Sequence, residues 1–115
     1  INKYLDEMRA KLMKKEYEIA YGYYKIGSYN AAYVAFGDFI NQYPDSPNKE
    51  DAMYYIILSG YEYAINSTES KIVERLNLVI NDFEKFAALF SNSKYTKATQ
   101  DIHDKCRAEL YERKK

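Results

Sequence analysis

The residues with any capacity for chemistry are few. His103 is the sole histidine and stands three positions before Cys106, the sole cysteine, a spacing that lets an imidazole and a thiol share one helix face. A zinc site wants three or four ligands, and a thiol–imidazole nucleophile needs a third group to orient its base. The pair supplies neither, and reads as a polar-face histidine beside a half-buried cysteine. Carboxylates adjoin or cluster at Asp6-Glu7, Glu50-Asp51 and Asp101-Asp104. Such pairs are ordinary on solvated helix faces and carry no acid–base chemistry without a pocket. There is no glycine-rich phosphate loop. No catalytic residue, metal site or cofactor is therefore expected. The sequon Asn66-Ser67-Thr68 has a better use as a helix cap, with Glu69 three residues after Asn66.

What stands out instead is tyrosine: fourteen of them, with no Trp, in 115 residues. A tyrosine joins a large apolar ring to a polar tip, which suits half-exposed grooves and interfaces. Seventeen cations balance seventeen anions. That argues against a nucleic-acid binder, which carries excess Lys and Arg, and against a polybasic membrane-surface patch. No run of eighteen apolar residues exists to span a bilayer. One cysteine leaves the redox compartment undetermined.

The elements that must position these tyrosines are helices. Four Gly and two Pro leave few places for turns. In the first segment, Leu5, Met8, Leu12, Ile19, Tyr23 and Ile26 recur at three, four and seven, which places them on one stripe. The spacing predicts that this helix stops at Gly27-Ser28. A second helix, 29–43, buries Ala32, Ala35, Phe36, Phe39, Ile40 and Tyr43 before Pro44-Asp45-Ser46-Pro47 breaks it. Asn48 caps a third, with Asp51 three residues on and Glu50 in the first turn, running to about Ile65. A fourth begins near Ser70, with Leu76, Phe83 and Phe90 one heptad apart and Ile72, Val79 and Phe86 on a parallel row, and closes at Ser91-Asn92-Ser93. A fifth, from about Lys94, carries Tyr95, Ala98, Ile102 and Leu110 and ends in the cations Arg113-Lys114-Lys115. Short loops imply antiparallel neighbours in an all-α fold.

A shift of 47 residues superposes Tyr43-Pro44-Asp45-Ser46 on Phe90-Ser91-Asn92-Ser93, Phe36 on Phe83, Phe39 on Phe86 and Ala52 on Thr99. Each copy is the second helix of a hairpin followed by the first helix of the next. One such hairpin cannot bury its apolar face alone, so stacking makes the core continuous.

Ala20, Tyr23, Gly27, Tyr29, Ala32, Phe36 and Pro44 stand at the signature positions of the tetratricopeptide repeat, which the first hairpin resembles. The departures are Glu16 at the usual large position, Ser91 in place of the second Pro, and a longer second inter-helix stretch. The run Phe36-x-x-Phe39-x-x-x-Tyr43-Pro44-Asp45-Ser46-Pro47 with Glu50-Asp51-Ala52 resembles the periplasmic subfamily containing BamD, and the long opening helix and Ser93-Lys94-Tyr95 fit its C-terminal half. The tetratricopeptide coordinator that works with the Tol-Pal system shares the aromatic-Pro-x-Ser turn.

The resemblance implies a single tetratricopeptide-like domain over residues 1–115, cut from a longer lipoprotein whose N-terminal lipidated Cys this chain lacks. The chain's opening on Ile1 without an initiator Met agrees with that expectation. It further implies a non-catalytic scaffold on the periplasmic face of a Gram-negative outer membrane. Its partners would be other subunits of the β-barrel assembly machinery and unfolded outer-membrane proteins, with no nucleic acid. A generic adaptor of another complex, or the helical accessory domain of an enzyme, are the alternatives. In arrays of this type the first helix of each hairpin lines the concave groove. The mapped groove residues are Lys14, Tyr17, Tyr21, Tyr24 and Lys25, then Tyr54, Leu58, Tyr61 and Glu62. Met53, Ile56, Ile57 and Gly60 point into the stack. Either the groove tyrosines bind a partner or they pack between neighbouring helices; amphipathic rings suit both.

Overall fold

The computed structural model describes residues 3–114 and, at Lys114, the backbone alone. The expected cationic cap at Lys114-Lys115 and the opening Ile1 lie outside the described side chains. Five helices follow in order: α1 (Lys3–Lys25), α2 (Tyr29–Gln42), α3 (Lys49–Ile65), α4 (Glu69–Leu89) and α5 (Thr96–Lys114). No strand occurs among the described residues. Helices α1/α2 and α3/α4 form antiparallel hairpins, α5 lies against α4 and α3, and the long axis reaches 62 Å against 29 and 19 Å across.

The breaks follow backbone chemistry. Gly27 takes φ 82°, and the bonds Ser28 N–H to Tyr23 O (2.9 Å) and Gly27 N–H to Tyr24 O (3.1 Å) complete a Schellman ending on α1. Pro44 ends α2, yet Ser91 ends α4 in the same geometry: Tyr43 (φ −129°, ψ 65°) and Phe90 (φ −131°, ψ 65°) are matching C-caps. In each turn a serine hydroxyl accepts a backbone N–H at 3.0 Å, Ser46 from Asn48 and Ser93 from Tyr95. The turn is therefore held by serine, and the second proline is dispensable.

Two expected caps are built differently. The Asn48 side chain makes no capping bond to the α3 backbone; it lies in the bridge region (φ −95°, ψ 10°), and its amide reaches the Asp51 carboxylate at 3.4 Å. Asn66 serves the end of α3 rather than the start of α4, donating to the Glu62 carbonyl at 2.8 Å. Thr68 stands at the N-cap of α4 without a side-chain bond to the helix backbone; its hydroxyl lies 3.3 Å from that of Ser70.

Two apolar clusters make up the core, one on each side of α3. Ala20, Ala32, Phe36, Phe39, Tyr43 and Ala52 form the first; Ile57, Ala64, Ile72, Leu76, Val79, Ile80, Phe86, Ile102 and Cys106 form the second. The 47-residue repeat is visible in them. Phe39 meets Tyr43 with centroids 5.5 Å apart, as Phe86 meets Phe90 at 5.5 Å, and Ala52 and Thr99 are both fully buried. The expected equivalence of Phe36 and Phe83 is looser. Phe36 is fully buried between Tyr17 and Tyr55, whereas Phe83 is half-buried against the His103 ring at 4.6 Å.

One stripe is turned the other way from its sequence appearance. Leu5 (61% exposed), Leu12 (49%) and Ile26 (74%) face solvent, as do Met8, Ile19 and Tyr23. Helix α1 packs instead through Met13, Tyr17, Ala20, Tyr21 and Tyr24. Only Ala20 lets the α1 and α2 backbones close up with Ala32, so the face carrying it is the one that docks.

Truncating Phe39 or Phe86 to Ala is expected to cost about 3–5 kcal/mol of stability each, and Phe83→Ala distinctly less. Urea denaturation of the three variants measures the order.

Candidate interaction surface

Helices α1, α3 and α5 lie alongside one another, and their tyrosines form a continuous chain of rings. Tyr17 stands edge-on to Phe36 (5.6 Å, 70°) and Phe39 (5.5 Å, 62°). Tyr21 and Tyr24 each lean on Tyr55, at 5.2 and 5.0 Å. Tyr55 stacks on Phe36 (5.4 Å, 15°) and touches Tyr54 at 5.2 Å. Tyr54 in turn lies flat on Tyr95 of the α4–α5 turn, at 3.9 Å and 8°. Lys25 holds its ammonium 5.4 Å from the Tyr21 ring centre, a cation–π contact.

Polar atoms pin the ends of this chain. The Tyr95 hydroxyl donates to Asp51, the Ser93 hydroxyl donates to Glu50, and Lys94 lies 3.9 Å from Asp51. The acidic start of α3 thereby holds the loop that leads into α5. Burial raises the phenol of Tyr17 to about 12, with the Asp51 carboxylate adding to it. Burial also pushes up Tyr24, Tyr55, Tyr61 and Tyr95, with Asp51 reinforcing Tyr95.

The groove residues named from sequence do not all share one environment. Tyr17, Tyr21 and Tyr24 are half-buried against the first core cluster. Leu58 and Tyr61 are half-buried against the second. Tyr54 joins the two through Tyr55 and Tyr95, while Lys14, Lys25 and Glu62 edge the surface. Tyr17, Tyr21, Tyr24 and Tyr61 thus each keep one side on the core, while Tyr54 is held by the rings of Tyr55 and Tyr95. Tyr55 is the residue that sequence reading passed over, although it touches four other rings. Its one signal was adjacency to Tyr54, since two neighbouring tyrosines on a helix point about 100° apart and reach different neighbours.

Of the repeat-signature positions, Ala20, Ala32, Phe36, Phe39 and Phe86 are buried. Tyr29 packs edge-on to Tyr24 at 5.8 Å, and Tyr23 and Pro44 are exposed. Gly60 is placed where an added Cβ would come within 3.2 Å of both Tyr33 and Val79, so its lack of a side chain allows α2 and α4 to approach α3.

His103 and Cys106 do not form a working pair. The His103 ring rests on Phe83, and its Nδ1 lies 3.3 Å from both Gln100 and Asp104. Cys106 is fully buried, and burial pushes its thiol up to about 12. Such a thiol holds almost no thiolate at neutral pH. Among the described residues no cluster of three or more His, Cys, Asp or Glu is placed to hold a metal, and no described helix is long and apolar enough to cross a membrane.

On another side of α3, a cleft of about 630 Å³ opens between α2 and α4, floored by Met53 and Ile56 and flanked by Val34, Gly37 and Leu89. At its edge Tyr33 donates to Asp82 at 3.3 Å. Burial raises the Asp82 carboxyl, partly offset by that bond, and raises the Tyr33 phenol to about 12.

The raised phenols set an alkaline limit. Tyr17 and Tyr33 keep their protons in the folded chain at pH values where the unfolded chain, ionising near 10, has lost them. The folded state then binds more protons, so stability is full below pH 10 and falls as pH rises from 10 toward 12. Thermal melts across that range should show a steadily falling Tm, and tyrosinate absorbance should reveal a late-ionising class that shrinks in Tyr17→Phe. A Tm flat from pH 9 to 12 contradicts this.

The sequence model of the outer membrane lipoprotein family, YfiO, matches residues 3–113. A search of curated proteins finds no significant match. The match covers every helix of the fold, including both hairpins and the ring chain that joins them, and the chain belongs to the outer membrane lipoprotein family.

Proposed function

We propose that this chain is a non-catalytic protein-binding scaffold of the outer-membrane β-barrel assembly machinery, held at the periplasmic face of a Gram-negative outer membrane by an anchor carried elsewhere in a longer polypeptide. Membership of an outer membrane lipoprotein family supports an envelope location. The single observation that carries the scaffold reading is the row of half-buried rings across α1, α3 and the α4–α5 turn. Tyr17, Tyr21, Tyr24 and Tyr61 are anchored on the core and Tyr54 on the rings of Tyr55 and Tyr95, all five half-buried, with Leu58 among them and Lys25 at the edge.

Such rings are already ordered before a partner arrives. Little side-chain entropy is then lost on binding, which is the advantage of a preorganised interface. Aromatic residues with a rigid base and an exposed edge are also the usual anchors of protein interfaces. Of two readings, packing or partner contact, the geometry supports both for the same ring. The proposed partners are the periplasmic domains of the barrel-assembly protein and unfolded outer-membrane proteins passing to it.

Calorimetry against purified periplasmic domains of the barrel-assembly protein tests the proposal. Tyr24→Ala and Tyr61→Ala should each weaken binding by about 2 kcal/mol or more, roughly thirtyfold, at a temperature where circular dichroism shows both variants folded. Unchanged affinity in folded variants, with the whole effect in Tm, would make the rings core alone. No binding by the unaltered chain removes the barrel-assembly reading.

A further inference from the structure

The cleft between α2 and α4 stays open however many repeats the stack contains. Helices α1 and α2 both pack on α3, but the backbone of neither comes against α4; α5 likewise packs on α3 and α4 and not on α2. In a helical-repeat stack each unit meets its neighbours by the same contacts. A hairpin ahead of α1 would therefore cover α1, and a helix beyond α5 would cover α5. Neither would close the gap between α2 and α4.

The cleft has two distinct ends. Helices α2 and α4 are both antiparallel to α3, so they run side by side in one direction. Tyr33 and Asp82, joined at 3.3 Å, bridge them at one end, and the lining continues to Asn41, Leu89 and Lys49 at the other. From Tyr33 to Asn41 the wall is about 12 Å long at 1.5 Å per residue. Met53 and Ile56 give that length an apolar floor, and Asp38 and Lys85 offset each other on opposite walls.

Three features of the cleft serve nothing inside the chain. Asp82 accepts the Tyr33 hydroxyl on Oδ2, while its Oδ1 has no partner among the described residues. Lys85, one turn on, acts on that carboxylate through space and not through a hydrogen bond. Lys49, at the open end, is half-buried and has no ion pair among the described residues. Gly37 stands in the middle of α2, where glycine is unfavourable for its backbone entropy, yet a Cβ built on it meets nothing within 4 Å. No packing within the chain requires its smallness.

We propose that this cleft receives a short segment of a partner protein, which lays apolar side chains on Met53 and Ile56 and an arginine against Oδ1 of Asp82. A guanidinium is the more weakly hydrated cation, so it gives up less than an ammonium on entering a half-buried apolar slot. Gly37 lets the backbone of the segment come close, and Lys49 meets a carboxylate at its other end. Two opposite charges about 12 Å apart with apolar surface between them fit a polypeptide, whereas a lipid-like amphiphile carries its charge at one end. The cleft lies on another side of α3 from the tyrosine rings, so this docking does not depend on the one proposed above.

The test is selection of random displayed peptides on the immobilised chain, followed by fluorescence anisotropy with the recovered peptides made synthetically. Recovered sequences should share an arginine with apolar residues close by. Gly37→Leu fills the cleft and should weaken binding at least about tenfold; its Tm should not fall, because leucine is the better helix former and has room there. Asp82→Asn should weaken binding about tenfold or more, as should replacing the arginine of the peptide by glutamine. The two changes together should cost little more than either alone, since both remove one contact. Additive losses overturn the pairing of arginine with Asp82. A selection that enriches no sequence, or peptides that all bind Gly37→Leu as tightly as the unaltered chain, overturns the docking site.

Discussion

Helix α3 is apolar on two flanks, and the rest of the molecule is arranged around that fact. A helix of this kind has no stable position at a surface; each flank left in water forgoes about 25 cal/mol for every Å² of apolar area. The first hairpin covers the flank that carries Ala52, Tyr55 and Ile56, and α4 with α5 covers the flank that carries Ile57, Leu58, Tyr61 and Ala64. The two core clusters are thus the two sides of one helix. Losing either cover would expose α3, which is why adjacent hairpins in such a stack support each other.

The tyrosines solve a related problem. Where helices α1 and α3 sit side by side, a fully apolar residue would leave its outer edge in water, and a charged one would leave the inner side unpacked. A phenol ring meets both demands. Tyr55 is the point where the first hairpin's rings meet those of α3, and Tyr54 passes the contact on to Tyr95. The carboxylates of Glu50 and Asp51 then fix the following turn through Ser93 and Tyr95. Rings, carboxylates and serine turns make one connected surface, and its rigidity comes from the core beneath it.

The second helix of the second hairpin is longer than that of the first: α4 has 21 residues to the 14 of α2. The added turns hold Ile72 against the second cluster, with Arg75 lying 4.2 Å over the Tyr63 ring and bonding Ser67 at 2.6 Å. Helix α5 uses this extension, reaching it through Leu110 and the Arg113–Glu69 contact at 3.5 Å. The repeat is therefore regular at its turns and irregular at its tips. The turns are set by local hydrogen bonds, and the tips by what α5 requires.

By itself the sequence determined the number and type of helices and nearly all their ends. Period, Gly27 and the Pro44–Pro47 break act through the local backbone, which needs no neighbour. It also determined the repeat, because Tyr43–Ser46 and Phe90–Ser93 encode the same turn. Tertiary structure alone decided which of two apolar faces of α1 is buried. Periodicity gives an angle about a helix axis but does not say from which side a partner comes, and the small Ala20 outweighed the bulkier Leu5–Ile26 stripe because it allows closer approach to Ala32. The same limit hid Tyr55, whose importance lies in rings 31 and 34 positions away in the chain, and the cleft between α2 and α4, which exists only once both helices lie on α3.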